Sequence, residues 1–303
     1  MTPHRPEPMT ENEYRKFPGL NFSSIASYYN GGTYSPDHAL MRLGYKSFFE
    51  YGKAFETMLQ DAVKSTNEFE KRFFESTVSG KIPDDLIKWI DDGDDLENRI
   101  VLKKDGTRNM QKKTLHAFLD EAMAHPGQIP LPSNDFAMLK QHTDRMLNMQ
   151  YLDARVGDIL AAGQWQVPIT WIDEDSGLAK KALVDCLVDL GGDFLPVDIK
   201  TTAGFGAFRG MLRGKYWIQD IWYCEGVAAT KGPTMPMVFF VASKEVPYLC
   251  QPWTIDYSDP GLRDIAIEDC RALCLSYQAW ADAGKPSKGW LPEQSIKYYS
   301  RRI

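Results

Sequence analysis

The stretch Leu183-Val-Asp-Cys-Leu-Val-Asp-Leu-Gly-Gly-Asp-Phe-Leu-Pro-Val-Asp-Ile-Lys200 decides the fold. Two runs rich in branched and large apolar residues, 183–190 and 194–200, flank Gly191-Gly192-Asp193, whose residue types favour a turn. They read as two neighbouring strands. Each run carries an acid in its middle, Asp185 in the first and Asp198 in the second. Burying a lone carboxylate is costly, so such acids are paired, neutralised or bound to metal. Asp198 and Lys200 are two positions apart, so on a strand they share a face. A hairpin would bring Asp185 within reach of that face.

Upstream, Trp165, Val167, Ile169 and Trp171 alternate with Gln164, Gln166, Pro168 and Thr170, the period of a half-buried strand. Asp173 to Gly177 supplies its turn. Downstream, a helix is expected from about 215 to 230, then strands over 237–242 and 248–253. A last helix opens at Asp259-Pro260, a cap followed by proline at the first helical position, and closes before Gly284 and Pro286. Before Gly163 the period is helical. Ser35-Pro36-Asp37 can start a helix, and Phe48, Tyr51, Phe55 and Leu59 recur at helical intervals. Residues 110–125 and 133–150 read as two more helices around the Pro-rich segment 125–132. The expected organisation is a flexible arm over 1–20 and one α/β domain over 21–303. That domain has a mainly helical lead-in (21–150), then an α/β core and C-terminal helix (160–303).

Two carboxylates and a lysine on one face suit phosphodiester chemistry. Hard oxygen ligands hold Mg²⁺, the metal lowers the pKa of its bound water, and an ammonium orients the nucleophile or offsets developing charge. Asp-x-Lys alone is a weak signal, expected roughly once by chance in a chain of this length. The second aspartate strengthens it, and so does the segment beyond the lysine. From Ile199 to Gln219 the chain carries Lys200, Arg209, Arg213 and Lys215 and no acid. Interspersed Phe205, Phe208, Tyr216 and Trp217 suit a phosphate backbone and stacked bases. Gln219 and Tyr223, four apart, share one helix face.

Asp185, Asp198-Ile199-Lys200 and Gln219-Asp-Ile-Trp-Tyr223 resemble the PD-(D/E)XK nuclease superfamily, and within it the RecB-type branch with its Q-x-x-x-Y helix. The phrases Gln166 to Trp171, Gly177 to Asp185, Val197 to Thr202 and Tyr216 to Tyr223 resemble the phage exonuclease VIII (RecE) and lambda exonuclease-like family. Ser35-Pro36 and Tyr51-Gly-Lys-Ala-Phe-Glu56 match its helical lead-in, so the likeness runs over about 20–230. The resemblance implies a restriction-endonuclease-like core, a central mixed β-sheet flanked by helices. It implies an Mg²⁺-dependent exodeoxyribonuclease, with Mn²⁺ as a substitute, acting 5′–3′ on linear double-stranded DNA ends in phage-type recombination.

On that resemblance Asp185, Asp198 and the Ile199 carbonyl would hold the metal, Lys200 would act on the attacking water, and Gln219 and Tyr223 would brace the site. Arg209, Arg213, Lys215 and Tyr216 would contact DNA. Family members work with a single-strand annealing protein and assemble as rings. Two positions depart from the pattern: Gln166 stands where relatives usually have Glu, and Glu56 where they often have His. Gln can ligate through its carbonyl but brings no charge. Glu56 would supply that charge and is a candidate ligand. The alternative is a weakened or inactive DNA-binding protein on the same fold.

Composition sets the outer bounds. The 303 residues include 35 Lys and Arg against 41 Asp and Glu, a net charge of −6, so any basic surface for nucleic acid must be local. With 43% hydrophobic and 25% charged residues, disorder, collagen-like fibres and small disulfide scaffolds are excluded. The five cysteines form no Cys-x-x-Cys pair and read as core. The acidic stretch from Asp84 to Glu97 reads as a solvated face. The N-terminus lacks an apolar signal region, and the longest apolar run, Met237 to Ala242, is far short of the ~20 residues a membrane span needs. A cytoplasmic protein without membrane partners is expected.

Overall fold

The computed structural model describes residues 9–29, 48–104, 106–258 and 260–284. Ser35-Pro36-Asp37 and Asp259 lie outside the described residues. Thr10 and Glu13 form a reciprocal capping box: the Thr10 hydroxyl accepts the Glu13 N–H at 3.3 Å, and the Glu13 carboxylate accepts the Thr10 N–H at 2.7 Å. It starts α1 (Glu11–Lys16), a helix inside the segment read as an arm. Next along the chain are β1 (Leu20–Asn21), α2 (Phe22–Tyr29), α3 (Phe48–Lys64), α4 (Glu68–Arg72), β2 (Phe73–Ser76) and α5 (Asp84–Asp92). Then come α6 (Lys113–Ala124), β3 (Ile129–Pro132), α7 (Ser133–Asn148), β4 (Gln150–Tyr151), β5 (Ala154–Arg155) and α8 (Val156–Ala162). The second half is β6 (Gln164–Ile172), β7 (Ala179–Asp189), β8 (Phe194–Thr202), α9 (Phe205–Met211), α10 (Trp217–Thr230), β9 (Val238–Ser243), β10 (Cys250–Trp253) and α11 (Pro260–Asp282). The molecule is mixed α/β, with a central mixed sheet flanked by helices.

The chain forms two compact units, one of residues 1–42, 162–241 and 251–303, the other of 43–161 and 242–250. In the second unit α3 buries Tyr51, Ala54, Phe55 and Leu59, the apolar stripe that its spacing announced. His142 of α7 is fully buried, with Nδ1 2.8 Å from the Tyr51 hydroxyl and Nε2 2.9 Å from the Ser243 carbonyl oxygen. The carbonyl can only accept, so Nε2 carries the proton and Nδ1 accepts from Tyr51. Burial pushes the imidazole pKa down, which keeps the ring neutral. The Pro-rich segment before α7 is not wholly irregular. Residues Ile129–Pro132 pair in parallel with Phe73–Ser76. A two-stranded ladder leaves each strand an outer edge, where prolines are tolerated.

In the first unit β7 is the axis of the sheet. One of its edges pairs antiparallel with β6, from Ile172↔Ala179 to Gln164↔Leu187. It also pairs in parallel with β1 at Lys180 and Lys181, and antiparallel with β8 from Cys186 to Asp189. Beyond β8 the order continues to β9 and β10. Val167, Ile169, Trp171, Ala182 and Val184 form a core with Trp217, Ile218, Ile221 and Trp222 of α10 and Cys270, Leu273, Cys274 and Trp280 of α11. Trp222 donates to the Lys181 carbonyl at 3.1 Å, so its indole N–H is satisfied inside that core. Helix and sheet touch closely at Gly226, where a Cβ would stand 2.7 Å from the Trp171 ring.

Candidate functional site

The site begins where two ladders fail. β7 and β8 pair through Cys186↔Val197, and the next rung in that register would set Asp185 opposite Asp198. There the strands part. Asp185 Oδ2 accepts the Ile199 N–H at 2.9 Å, so a side chain takes over a donor at the end of the ladder. On the β6 side the register steps from Trp165↔Cys186 to Val167↔Val184, over the rung that Gln166 would make with Asp185. Gln166 has φ +50°, a left-handed conformation uncommon outside glycine. Asp185 thus sits at an interruption on both sides, and strained backbone of this kind clusters at functional sites.

Asp198 is 1% exposed. Its Oδ1 accepts the Gln219 side-chain amide at 2.5 Å, and its Oδ2 contacts the Lys200 ammonium. Lys200 remains a quarter exposed. Burial disfavours its charge, but Asp198 first and Asp185 next outweigh that, and the ammonium pKa lies well above its usual value. The lysine is therefore a firmly held cation. Tyr223, one turn beyond Gln219, is half-buried, and burial, Asp198 and Asp185 together push its phenol pKa far up. The buried Tyr216 ring lies 5.7 Å from Lys200 Nζ. Burial raises its pKa against the pull of Lys200. The cluster of two carboxylates, one ammonium and two neutral phenols carries net charge −1 if both carboxylates are ionised.

The basic window is one continuous helical run in which α9 passes through a π turn, Leu212–Tyr216, into α10. Such turns are frequent at functional sites. Arg209 and Arg213 are exposed, and the Arg209 guanidinium lies 5.8 Å from the Trp253 ring. Lys215 Nζ lies 5.2 Å from the Tyr216 ring, and burial and the Lys200 charge push its pKa down. Asp185, Asp198, Ile199, Lys200, Gln219, Tyr223 and Tyr216 are thus brought together, and Arg209 and Arg213 face solvent on the adjoining run. Glu56 lies half-buried on α3 of the second unit.

Among the described residues no three His, Cys, Asp or Glu side chains form a group that could hold a metal. The donor set still fits one Mg²⁺, which is bound in proteins by one or two carboxylates with water and phosphate completing its shell. Asp185 and Asp198 could serve as those two, and Asp198 Oδ2 already contacts a cation, Lys200.

Sequence reasoning passed over three groups in this unit. Asp220, beside Gln219, is fully buried and accepts from the Met237 N–H at 2.6 Å and the Tyr257 hydroxyl at 2.5 Å, which ties α10 to both. An acid within Trp217-Ile-Gln-Asp-Ile-Trp222 was the available signal. Lys180 is also buried, 2.5 Å from Asp173 and 3.0 Å from Glu225. Trp253, which faces Arg209, had no signal in its own neighbourhood.

No family model matches the chain, and no curated protein matches it. Among solved structures, a crystal structure of a "putative exonuclease" from Eubacterium rectale matches with a TM-score of 0.48 and 12% identity, over 97% of this chain and 94% of that one. No helix among the described residues is long and apolar enough to cross a membrane.

Proposed function

We propose that the chain is a metal-dependent deoxyribonuclease of the PD-(D/E)XK type that hydrolyses phosphodiesters at the ends of linear double-stranded DNA. The observation that carries this reading is the junction of β7 and β8. Asp185 and Asp198 stand on the two strands just past the last paired rung, with Asp185 on the Ile199 N–H, Lys200 on Asp198 and the Gln219 amide fixing the other Asp198 oxygen. Asp185 and Asp198 would hold Mg²⁺ or Mn²⁺, with the Ile199 carbonyl and the Gln166 amide as further oxygen donors. When bound, the metal lowers the pKa of its water and offsets phosphate charge.

Lys200 keeps its proton at Nζ and orients the water or offsets charge on the phosphate. Gln219 fixes the Asp198 rotamer, and Tyr223 closes the site as a neutral hydroxyl. Arg209, Arg213 and Lys215 meet the DNA backbone. A 5′–3′ direction, a role in phage-type recombination, an annealing partner and a ring assembly come from the sequence resemblance and belong to the same proposal, as does a cytoplasmic location.

A second reading, a DNA-binding protein without catalysis, is favoured by Gln166 itself, an uncharged residue in strained backbone where the family pattern has an acid. One experiment separates them. With Mg²⁺ or Mn²⁺, an end-labelled linear duplex is expected to be degraded and a covalently closed circle of the same sequence to survive. Binding of both without degradation of either would favour the second reading.

A further inference from the structure

Beside the basic window the first unit holds a cavity of about 360 Å³, at the lower end of the ~300–1,000 Å³ range of ligand pockets. Its apolar lining includes Trp253, Ile255 and Leu262, and Arg209 and Arg213 belong to the same wall. The Arg209 guanidinium lies 5.8 Å from the Trp253 ring. Trp253 packs on Phe208 at 5.6 Å, Phe208 on Tyr216 at 5.4 Å, and Tyr216 lies 5.7 Å from Lys200 Nζ. A run of ring contacts therefore links the cavity to the carboxylate cluster.

Resting on the nuclease reading, we propose that this cavity takes an unpaired nucleobase from a single-stranded segment next to the bond being cut. Charge selects the occupant. The two guanidiniums suit the flanking phosphates, and aromatic and apolar walls suit a base face, which every base has. Asp256 on the same lining repels a phosphate inside the cavity. Its carboxylate, which already accepts the Ser258 N–H at 2.8 Å, can still accept from a base N–H, such as the ring N–H of thymine. The base goes in and the phosphates stay at the rim.

The test measures binding by the full chain with Ca²⁺ in place of Mg²⁺, using a blunt duplex, the same duplex with a short thymidine tail, and that duplex with an abasic tail. The thymidine tail should bind about fivefold or more tighter than the abasic tail. Trp253→Ala should erase that difference, and Trp253→Phe should keep most of it. Equal affinity of the wild-type chain for the two tails overturns the proposal without any variant having to fold, as does a difference that persists in Trp253→Ala. Blunt duplex bound without a preference for bases, and degraded when Mg²⁺ replaces Ca²⁺, would overturn the cavity alone. No binding of any of the three would overturn the nuclease reading with it.

Discussion

Asp185 Oδ2 accepts the backbone N–H of Ile199 at 2.9 Å, at the rung where β7 and β8 part. That contact closes the end of a ladder, and on the proposed nuclease reading the same carboxylate would also serve a cation. Substitution should separate the two roles. Asp185→Ala leaves the Ile199 N–H without its acceptor and should cost about 1–3 kcal/mol of stability. Asp185→Asn keeps an accepting oxygen, so its denaturation midpoint should stay near wild type while Mg²⁺ affinity falls. Calorimetric titration of the metal and a urea melt on both variants check this.

Lys200 contacts Asp198 and is not a metal ligand. Lys200→Ala should lower turnover by roughly a hundredfold or more, in the range of lost proton-transfer or positioning groups. Metal affinity should hold or rise, since a competing cation leaves Asp198 Oδ2. Equal loss of turnover and metal binding would make the lysine structural.

Arg209 and Arg213 stand exposed on the run leading into α10. If each neutralises one phosphate, replacing both with Ala should lower the slope of log affinity against log salt by about 2, at ~0.9 per contact on duplex DNA. Fluorescence anisotropy at several salt concentrations reads this slope directly, and an unchanged slope would put the DNA path elsewhere.

The strands that build the site were legible because their apolar residues alternate or run unbroken, and because the acids at 185 and 198 interrupt those runs. The same logic read α3 from Tyr51, Phe55 and Leu59. Legibility ended where tertiary partners override local chemistry. Lys180 looks like a surface charge, yet it is enclosed by Asp173 and Glu225, which lie far from it along the chain or across a turn. Pro130 and Pro132 look like breakers, yet an outer edge accommodates them in β3. The strained Gln166, at the rung missing between β6 and β7, leaves no trace in composition.

The buried ion cluster predicts a pH response of stability. Burial pushes the Asp173 carboxyl up, but hydrogen bonds from Lys180 and Ser176 outweigh it and hold the pKa well below the usual range. Burial likewise opposes the Lys180 charge, and its acidic surroundings hold that pKa above the usual value. Glu225 moves the other way, raised by burial against the pull of Lys180, while Asp173 makes the shorter contact with Lys180, 2.5 Å against 3.0 Å. Asp173 therefore stabilises the fold above the unfolded value of about 3.9, and this is lost as pH falls further. Lys180 stabilises it below about 10.4, and this is lost as pH rises. Lys180→Met should cost roughly 3–5 kcal/mol at neutral pH, because Asp173 is left buried without its partner. It should also flatten both limbs of a melting-temperature profile.

Asp198 is the carboxylate that links α10 and β8 at the proposed site, with Gln219 on one oxygen and Lys200 on the other. Asp198→Asn preserves shape and removes the charge. The decisive measurement is the Mg²⁺-dependent loss of end label from a linear duplex by this variant, with DNA binding measured on the same sample. Cleavage should be abolished while binding is retained or strengthened, because a negative charge facing the phosphate is gone. Wild-type rates of degradation in Asp198→Asn would show that the chemistry is not performed at the junction of β7 and β8.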